Sequence, residues 1–261
     1  MGLFSRNRGV GDDLFAPMPV MKTHDGSAKS AISLDDFKRV APELESRYEG
    51  AKISLEKKRA IGMRAAVYLV VDRSGSMSSF YSNGSVQTFA ERILAAAAHF
   101  DDDGVVPVMF FGSDVHPTQS ITLSHYQNRV RDLHQQLGGM GTTNYAAAMR
   151  AVIRHYRESG ADVPALVIFQ SDGAPNSRAE AEQIVRDSAH LPIFWQFVGF
   201  GRDEFEFLKK LDELRGRKVD NAGFFEAGVN PSAMTDGELY DNLLGEYPQW
   251  VEAARRAGIV A

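Results

Sequence analysis

The 261-residue chain contains no cysteine. That absence excludes disulfide frameworks, thiolate zinc sites, iron–sulfur clusters and cysteine nucleophiles. No apolar run approaches the roughly 20 residues that a membrane helix requires. The opening segment MGLFSRNRGVGDDLF also lacks the apolar centre of a signal peptide. The expectation is a cytoplasmic protein that is not integral to a membrane. Basic charge is in short supply as well: 29 Lys and Arg stand against 34 Asp and Glu, a net charge of −5. Nucleic acid is therefore not the expected partner, because its binders rely on an electropositive footprint. Glycine (23) and proline (10) stay near background and hydrophobic residues make up 44%, which excludes collagen-like and wholly disordered classes. What remains is a globular chain long enough for one large domain and an appendage.

Residues 1–32 mix Gly, Pro, Ser and Asp with isolated apolar residues and show no helical or strand period, which reads as a flexible arm. Residues 33–60 read as an amphipathic helical extension. Ser33-Leu34-Asp35-Asp36 is a capping signal, and Phe37, Val40, Leu44, Tyr48, Ala51 and Leu55 follow at spacings of three and four, with a bend expected at Pro42. From residue 61 to 261 the pattern changes. Runs apolar on both faces, at 66–71, 105–111, 165–169 and 193–200, alternate with helical stretches at 86–100, 126–137, 145–158, 178–189 and 204–214. A short edge strand at 121–123, a last strand at 223–226 and a terminal helix over 236–257 complete the reading. This alternation predicts an α/β fold, a doubly wound, mainly parallel Rossmann-like sheet flanked by helices. Ligands of such sheets sit beyond the carboxyl ends of the strands, near the reversal of strand order.

Three segments fall at that edge. Asp72-Arg73-Ser74-Gly75-Ser76-Met77 follows the first apolar run, Gln170-Ser171-Asp172-Gly173 follows a later one, and Gly138-Gly139-Met140-Gly141-Thr142-Thr143-Asn144 precedes a helix. Two carboxylates with neutral hydroxyls suit a hard divalent cation, which takes oxygen ligands and keeps room for one from outside. An ion so held is left with uncompensated charge. It attracts a further carboxylate, and needs no catalysis to be useful.

Asp72-x-Ser74-x-Ser76, then Thr143, then Asp172 before a glycine, resembles the metal-ion-dependent adhesion site of von Willebrand factor A domains. The segments AVYLVVDRSGSM, AHFDDDGVVPVMFF, FWQFVGFG and VDNAGFFEAG are more narrowly similar to the TerF-like A domains of bacterial tellurium-resistance and stress-response clusters. The resemblance runs from about Ser54 to the C-terminus. It implies a non-enzymatic, cytoplasmic protein-binding module in a bacterial tellurite or chemical stress response, with Mg2+, or else Mn2+ or Ca2+, at the site. Asp72, Ser74, Ser76, Thr143 and Asp172 are the implied metal ligands, with Thr142 as the alternative to Thr143 because the loop reads Gly-Thr-Thr-Asn. The implied partner presents an acidic residue, and other Ter-cluster proteins are candidates. Phe80 and Tyr81 directly follow the metal loop and are expected on the contact rim.

The rival reading is a metal-dependent phosphoester hydrolase or phosphotransfer enzyme at the same strand ends. Against it, position 74 is Ser and not the second acid of an Asp-x-Asp pair, no lysine lies in the three loops, and Arg73 alone is weak anion-binding equipment. The glycine loop lacks the Walker lysine, no Gly-x-Ser-x-Gly elbow surrounds Ser74, and the seven histidines have no metal-ligand spacing. Asp101-Asp102-Asp103 reads as a solvated helix end, and Phe194, Trp195, Phe197 and Phe200 read as core.

Overall fold

A computed structural model describes residues 29–261. Most of the expected arm thus lies outside the described residues. Near its start the chain is already seated: Ala31 and Ile32 donate backbone hydrogen bonds to the carbonyls of His99 and Ala98. Helix α1 (Leu34–Val40) is capped by Ser33, whose side chain accepts from the Asp36 amide. A single 3-10 turn at Pro42–Leu44 then bends the chain into α2 (Glu45–Lys57), as the proline requires. Phe37, Tyr48, Ala51 and Leu55 of these helices are buried in the same core cluster as β-sheet residues. The helical extension therefore packs into the main body.

The sheet has six strands: β1 (Ala66–Asp72), β2 (Val105–Phe111), β3 (Gln119–Thr122), β4 (Ala165–Ser171), β5 (Ile193–Phe200) and β6 (Ala222–Gly228). Their order is β3-β2-β1-β4-β5-β6, with all pairs parallel except β2–β3. Every residue of β1, β4 and β5 is buried, the burial that a helix-covered parallel sheet imposes and the reason these runs are apolar without alternation.

Helices cover both faces. On one side α3 (Ser78–Ser82), α4 (Ser85–Ala97), α5 (Arg129–Gln136), α9 (Asp236–Leu243) and α10 (Tyr247–Arg256) join α1 and α2 around Leu69, Val71, Phe194 and Val198. On the other, α6 (Tyr145–Ser159), α7 (Arg178–Ser188) and α8 (Glu206–Asp212) cover Tyr68, Val70, Phe169, Trp195 and Phe197. The strand order reverses between β1 and β4, so the fold opens its ligand crevice there.

Two details differ from the sequence reading. The terminal helix is two helices, because the chain turns at Gly245 and restarts with Pro248 in the first turn of α10. The acidic turn is less solvated than expected: Asp101 is buried, and burial pushes its carboxyl up to about 7. Its Oδ1 accepts the Asp103 amide, while Asp103 Oδ1 accepts the Val105 amide where β2 begins. The turn holds these carboxylates inward as backbone acceptors.

Candidate metal centre

Strand β1 ends on Asp72 and β4 on Ser171, and the register that pairs Val71 with Gln170 sets the two side by side at the switch point. Asp72 is fully buried. Its Oδ1 accepts the Ser74 amide at 2.7 Å and its Oδ2 accepts the Ser171 hydroxyl at 2.5 Å. Ser74 Oγ lies 3.1 Å from Ser76 Oγ, and Ser76 Oγ donates to Asp172 Oδ1 at 2.9 Å. The four oxygen-bearing residues expected from the first and third loops thus form one connected cluster.

Both carboxyls of the cluster are held above their ordinary range. Burial pushes the Asp72 carboxyl up to about 6; the Ser171 and Ser74 bonds oppose this, and the neighbouring Asp172 charge adds to it. Asp172 is raised too, first by burial and with a contribution from Asp203. Two carboxylates in one crevice each disfavour ionisation of the other, and a divalent ion between them reverses that balance. The donors are all oxygen, as Mg2+ and similar hard ions require. Among the described residues no group of three or more His, Cys, Asp and Glu side chains could hold an ion. This site instead combines two carboxylates with hydroxyls.

The glycine-rich loop completes the edge by backbone contact. Gly141 N–H donates to the Arg73 carbonyl and Gly75 N–H to the Gly141 carbonyl, both at 3.1 Å. A Cβ on Gly141 would lie 2.6 Å from the Ser113 amide nitrogen, and one on Gly112 3.3 Å from the Arg73 carbonyl oxygen. Only bare backbone lets the loops after β1 and β2 and before α6 approach this closely. The two threonines differ. The Thr142 hydroxyl accepts from Asn176 Nδ2 at 2.9 Å and lies 3.1 Å from Ser113 Oγ. Thr143 is held by its amide on Asn176 Oδ1 at 3.3 Å, and its hydroxyl has no hydrogen-bond partner among the described residues. Asn144 closes the loop by capping α6 through the Ala147 amide.

Arg73 is buried and points away from the crevice. Its Nε donates to His134 Nδ1 at 3.1 Å, Nη1 to the Gly139 carbonyl at 2.8 Å and Nη2 to the Gly138 carbonyl. The His134 ring stacks on Tyr81 at 3.8 Å, and the Tyr81 hydroxyl donates to the Asp72 carbonyl at 2.9 Å. This corrects the exposed placement expected of Phe80 and Tyr81. Both side chains are buried, Phe80 edge-on against Phe200 at 5.5 Å, because the short helix α3 turns its aromatic face toward the sheet. The positions that the motif did not announce are Ser171, Arg73, His134, Ser113 and Asn176. The hydroxyl of Ser171 directly before Asp172 was the available signal for that residue; the others are joined by contacts distant in sequence.

A family model described as the vWA found in the TerF C terminus matches residues 64–260. The Bacillus subtilis (strain 168) protein YcbR, itself uncharacterised, is 37% identical over 221 residues, covering 83% of this chain and 90% of that protein. Among solved structures, the manganese-loaded TRAP protein of Plasmodium vivax is 19% identical with a TM-score of 0.43, over 62% of this chain and 68% of that one. A mussel byssus matrix protein with a zinc-occupied MIDAS motif is 14% identical with a TM-score of 0.47, over 74% of this chain and 48% of that one. The present chain spans about half of that mussel protein's length.

Proposed function

The chain belongs to the family of von Willebrand factor A domains found at the TerF C terminus, and from that premise we propose that it is a non-enzymatic, divalent-metal-dependent protein-binding module. The observation that carries the reading is the buried Asp72 linked through Ser74 and Ser76 to Asp172 at the switch point. Asp72, Ser74, Ser76, Thr143 and Asp172 would hold Mg2+, with Mn2+ or Ca2+ as substitutes. Thr143 is preferred to Thr142 because the Thr142 hydroxyl is already engaged by Asn176 and Ser113. When bound, the ion supplies positive charge at a crevice edge to which a partner's carboxylate is drawn.

The protein residues do the rest. Ser171 and the Ser74 amide fix the Asp72 carboxylate, Ser76 fixes Asp172, and the Gly141 contacts hold the threonine loop against the first loop. Arg73, the nearest cation in sequence, is committed to the Gly138 and Gly139 carbonyls and is not offered to a phosphate. These features favour adhesion over phosphoester chemistry.

We place the module at residues 61–261, in the cytoplasm, within a bacterial tellurite or chemical stress response whose other Ter-cluster proteins supply partners. Among the described residues no helix is long and apolar enough to cross a membrane. The test is affinity capture from bacterial lysate with the full chain as bait in Mg2+ and in EDTA, with Asp72→Ala in parallel. A partner retained only with Mg2+ and intact Asp72 is expected. A partner set indifferent to both, together with Asp72-dependent phosphoester turnover, would establish the enzyme instead.

A further inference from the structure

Arg73 is a buried cation with no carboxylate among its hydrogen-bond partners, and its Nε donates to His134 Nδ1 at 3.1 Å. A guanidinium keeps its protons in a protein, so Nδ1 is the bare nitrogen of a neutral imidazole whose own proton sits on Nε2. The other donors hold backbone. Nη1 meets the Gly139 carbonyl at 2.8 Å, and Nη2 meets the Gly138 carbonyl and, at 3.4 Å, that of His134. Gly138 and Gly139 open the loop that carries Thr142 and Thr143. The imidazole is therefore the one acceptor of this clamp that can change its protonation state.

His134 lies in the last turn of α5 and is half-buried, within reach of solvent. Its ring stacks on Tyr81 of α3, whose hydroxyl donates to the Asp72 carbonyl, so its position is tied to the first loop. Arg73 faces it from the loop after β1. From the segment after β2, His116 is held low by burial and by the same Arg73 charge. On α5 itself, Arg131 and Asp132 pair with each other at the exposed side. From α4, Gln87 meets the Val130 and Arg131 amides, while Glu91 is paired with Arg47. Burial first, and then the Arg73 charge, hold the His134 imidazole below its ordinary 6.5. Protonation sets an Nδ1–H against the Arg73 Nε–H and a second positive charge beside the first, so ring and guanidinium must separate.

We propose that His134 is the positioning residue of the threonine loop and its proton switch: neutral, it holds Arg73 on the Gly138 and Gly139 carbonyls, and protonated, it releases them. The consequence for the ion rests on the adhesion reading. Mg2+ then binds best with His134 neutral, and by reciprocity makes His134 harder to protonate. A released ring titrates near 6.5, so at pH 5.5 its protonated form leads about tenfold, which bounds the effect.

The test follows ring and loop by NMR on the full chain in EDTA from pH 7.5 to 5, and Mg2+ affinity by calorimetry at pH 7.5 and 5.5. His134→Asn places an amide oxygen near the Nδ1 position and does not titrate; His134→Phe keeps the stack and offers no acceptor. In wild type the Gly138, Gly139 and Gly141 amide signals are expected to shift together with the His134 ring, at a midpoint below 6.5. His134→Asn lacks that step, and His134→Phe shows at pH 7.5 the loop signals that wild type reaches in acid. Acid also protonates Asp72 and Asp172, but equally in wild type and His134→Asn. The loss of Mg2+ affinity is therefore expected to be at least threefold greater in wild type. A His134 midpoint at or above 6.5, loop signals that ignore the ring, the same step in His134→Asn, or equal losses of affinity would overturn the switch. Absence of Mg2+ binding at either pH would overturn the adhesion reading instead, and the loop signals in EDTA would still decide the switch.

Discussion

Arg73 shows what a single residue contributes beyond the proposed metal ligands. It is 1% exposed and lacks an acidic partner, an arrangement that is costly unless every donor finds an acceptor. The acceptors here are the Gly138 and Gly139 carbonyls and His134, so the guanidinium ties the threonine loop to the first loop from below. Arg73→Met should weaken Mg2+ binding about tenfold, since every 1.4 kcal/mol is a factor of ten, and should lower the melting temperature as well. Arg73→Lys should recover only part of either loss, because an ammonium replaces a planar fork that serves several carbonyls at once. Calorimetric titration and thermal melting of both variants check this; unchanged Mg2+ affinity in Arg73→Met would refute the clamp. The clustering of Asp72, Ser74, Ser76 and Asp172 was legible in the sequence because the first three lie within one loop and Asp172 sits at a strand end. The Arg73 clamp was not, since its partners lie more than sixty positions away, and Phe80 and Tyr81 misled because adjacency to a metal loop does not say which way a side chain turns.

Among the elements, α1 and α2 were readable as helices from Ser33, Pro42 and the three-and-four spacing, yet their destination was not. Amphipathicity says that a face is buried and leaves open against what. The structure sets Leu55, 1% exposed, into the core that also holds sheet residues. Leu55→Ala is therefore expected to cost about 2–5 kcal/mol of stability, the range for a buried leucine, measured by urea unfolding; a loss below about 1 kcal/mol would show the extension to be an appendage.

His99 ties the same region together: Nε2 donates to the Tyr48 carbonyl at 3.0 Å and Nδ1 accepts from Ser30 Oγ at 2.7 Å. Burial pushes its imidazole down from 6.5 to about 4. The unfolded chain thus binds a proton between those values that the folded chain refuses. The His99 contribution is fully present above pH 6.5 and is lost as the pH falls toward 4. Urea unfolding at pH 7 and pH 5 should show wild type losing about 2 kcal/mol more than His99→Phe across that interval. Equal losses would mean that His99 is not held neutral.

For the molecule as a whole, the fold class followed from the alternation of apolar runs with helical periods, and the strand order decides where function sits. Reversal between β1 and β4 is what brings Asp72 and Ser171 together, and no periodicity in the sequence reveals an order of strands. The division of aromatic residues between two cores was equally hidden: Phe194 and Trp195 are adjacent in β5 and face opposite layers, as strand geometry demands.

The metal centre and the fold should therefore be linked. An ion that binds only the folded chain stabilises it by about 2.7 kcal/mol at a hundredfold excess over Kd. The most direct test is calorimetric titration of Mg2+ into the full chain and into Asp72→Asn, which keeps an acceptor for the Ser74 amide while removing the charge. Saturable binding of one ion per chain, weakened at least a hundredfold in the variant, is the predicted result. No Mg2+ binding by the wild-type chain, or equal binding by Asp72→Asn, would contradict the assignment of this crevice as a metal-dependent adhesion site.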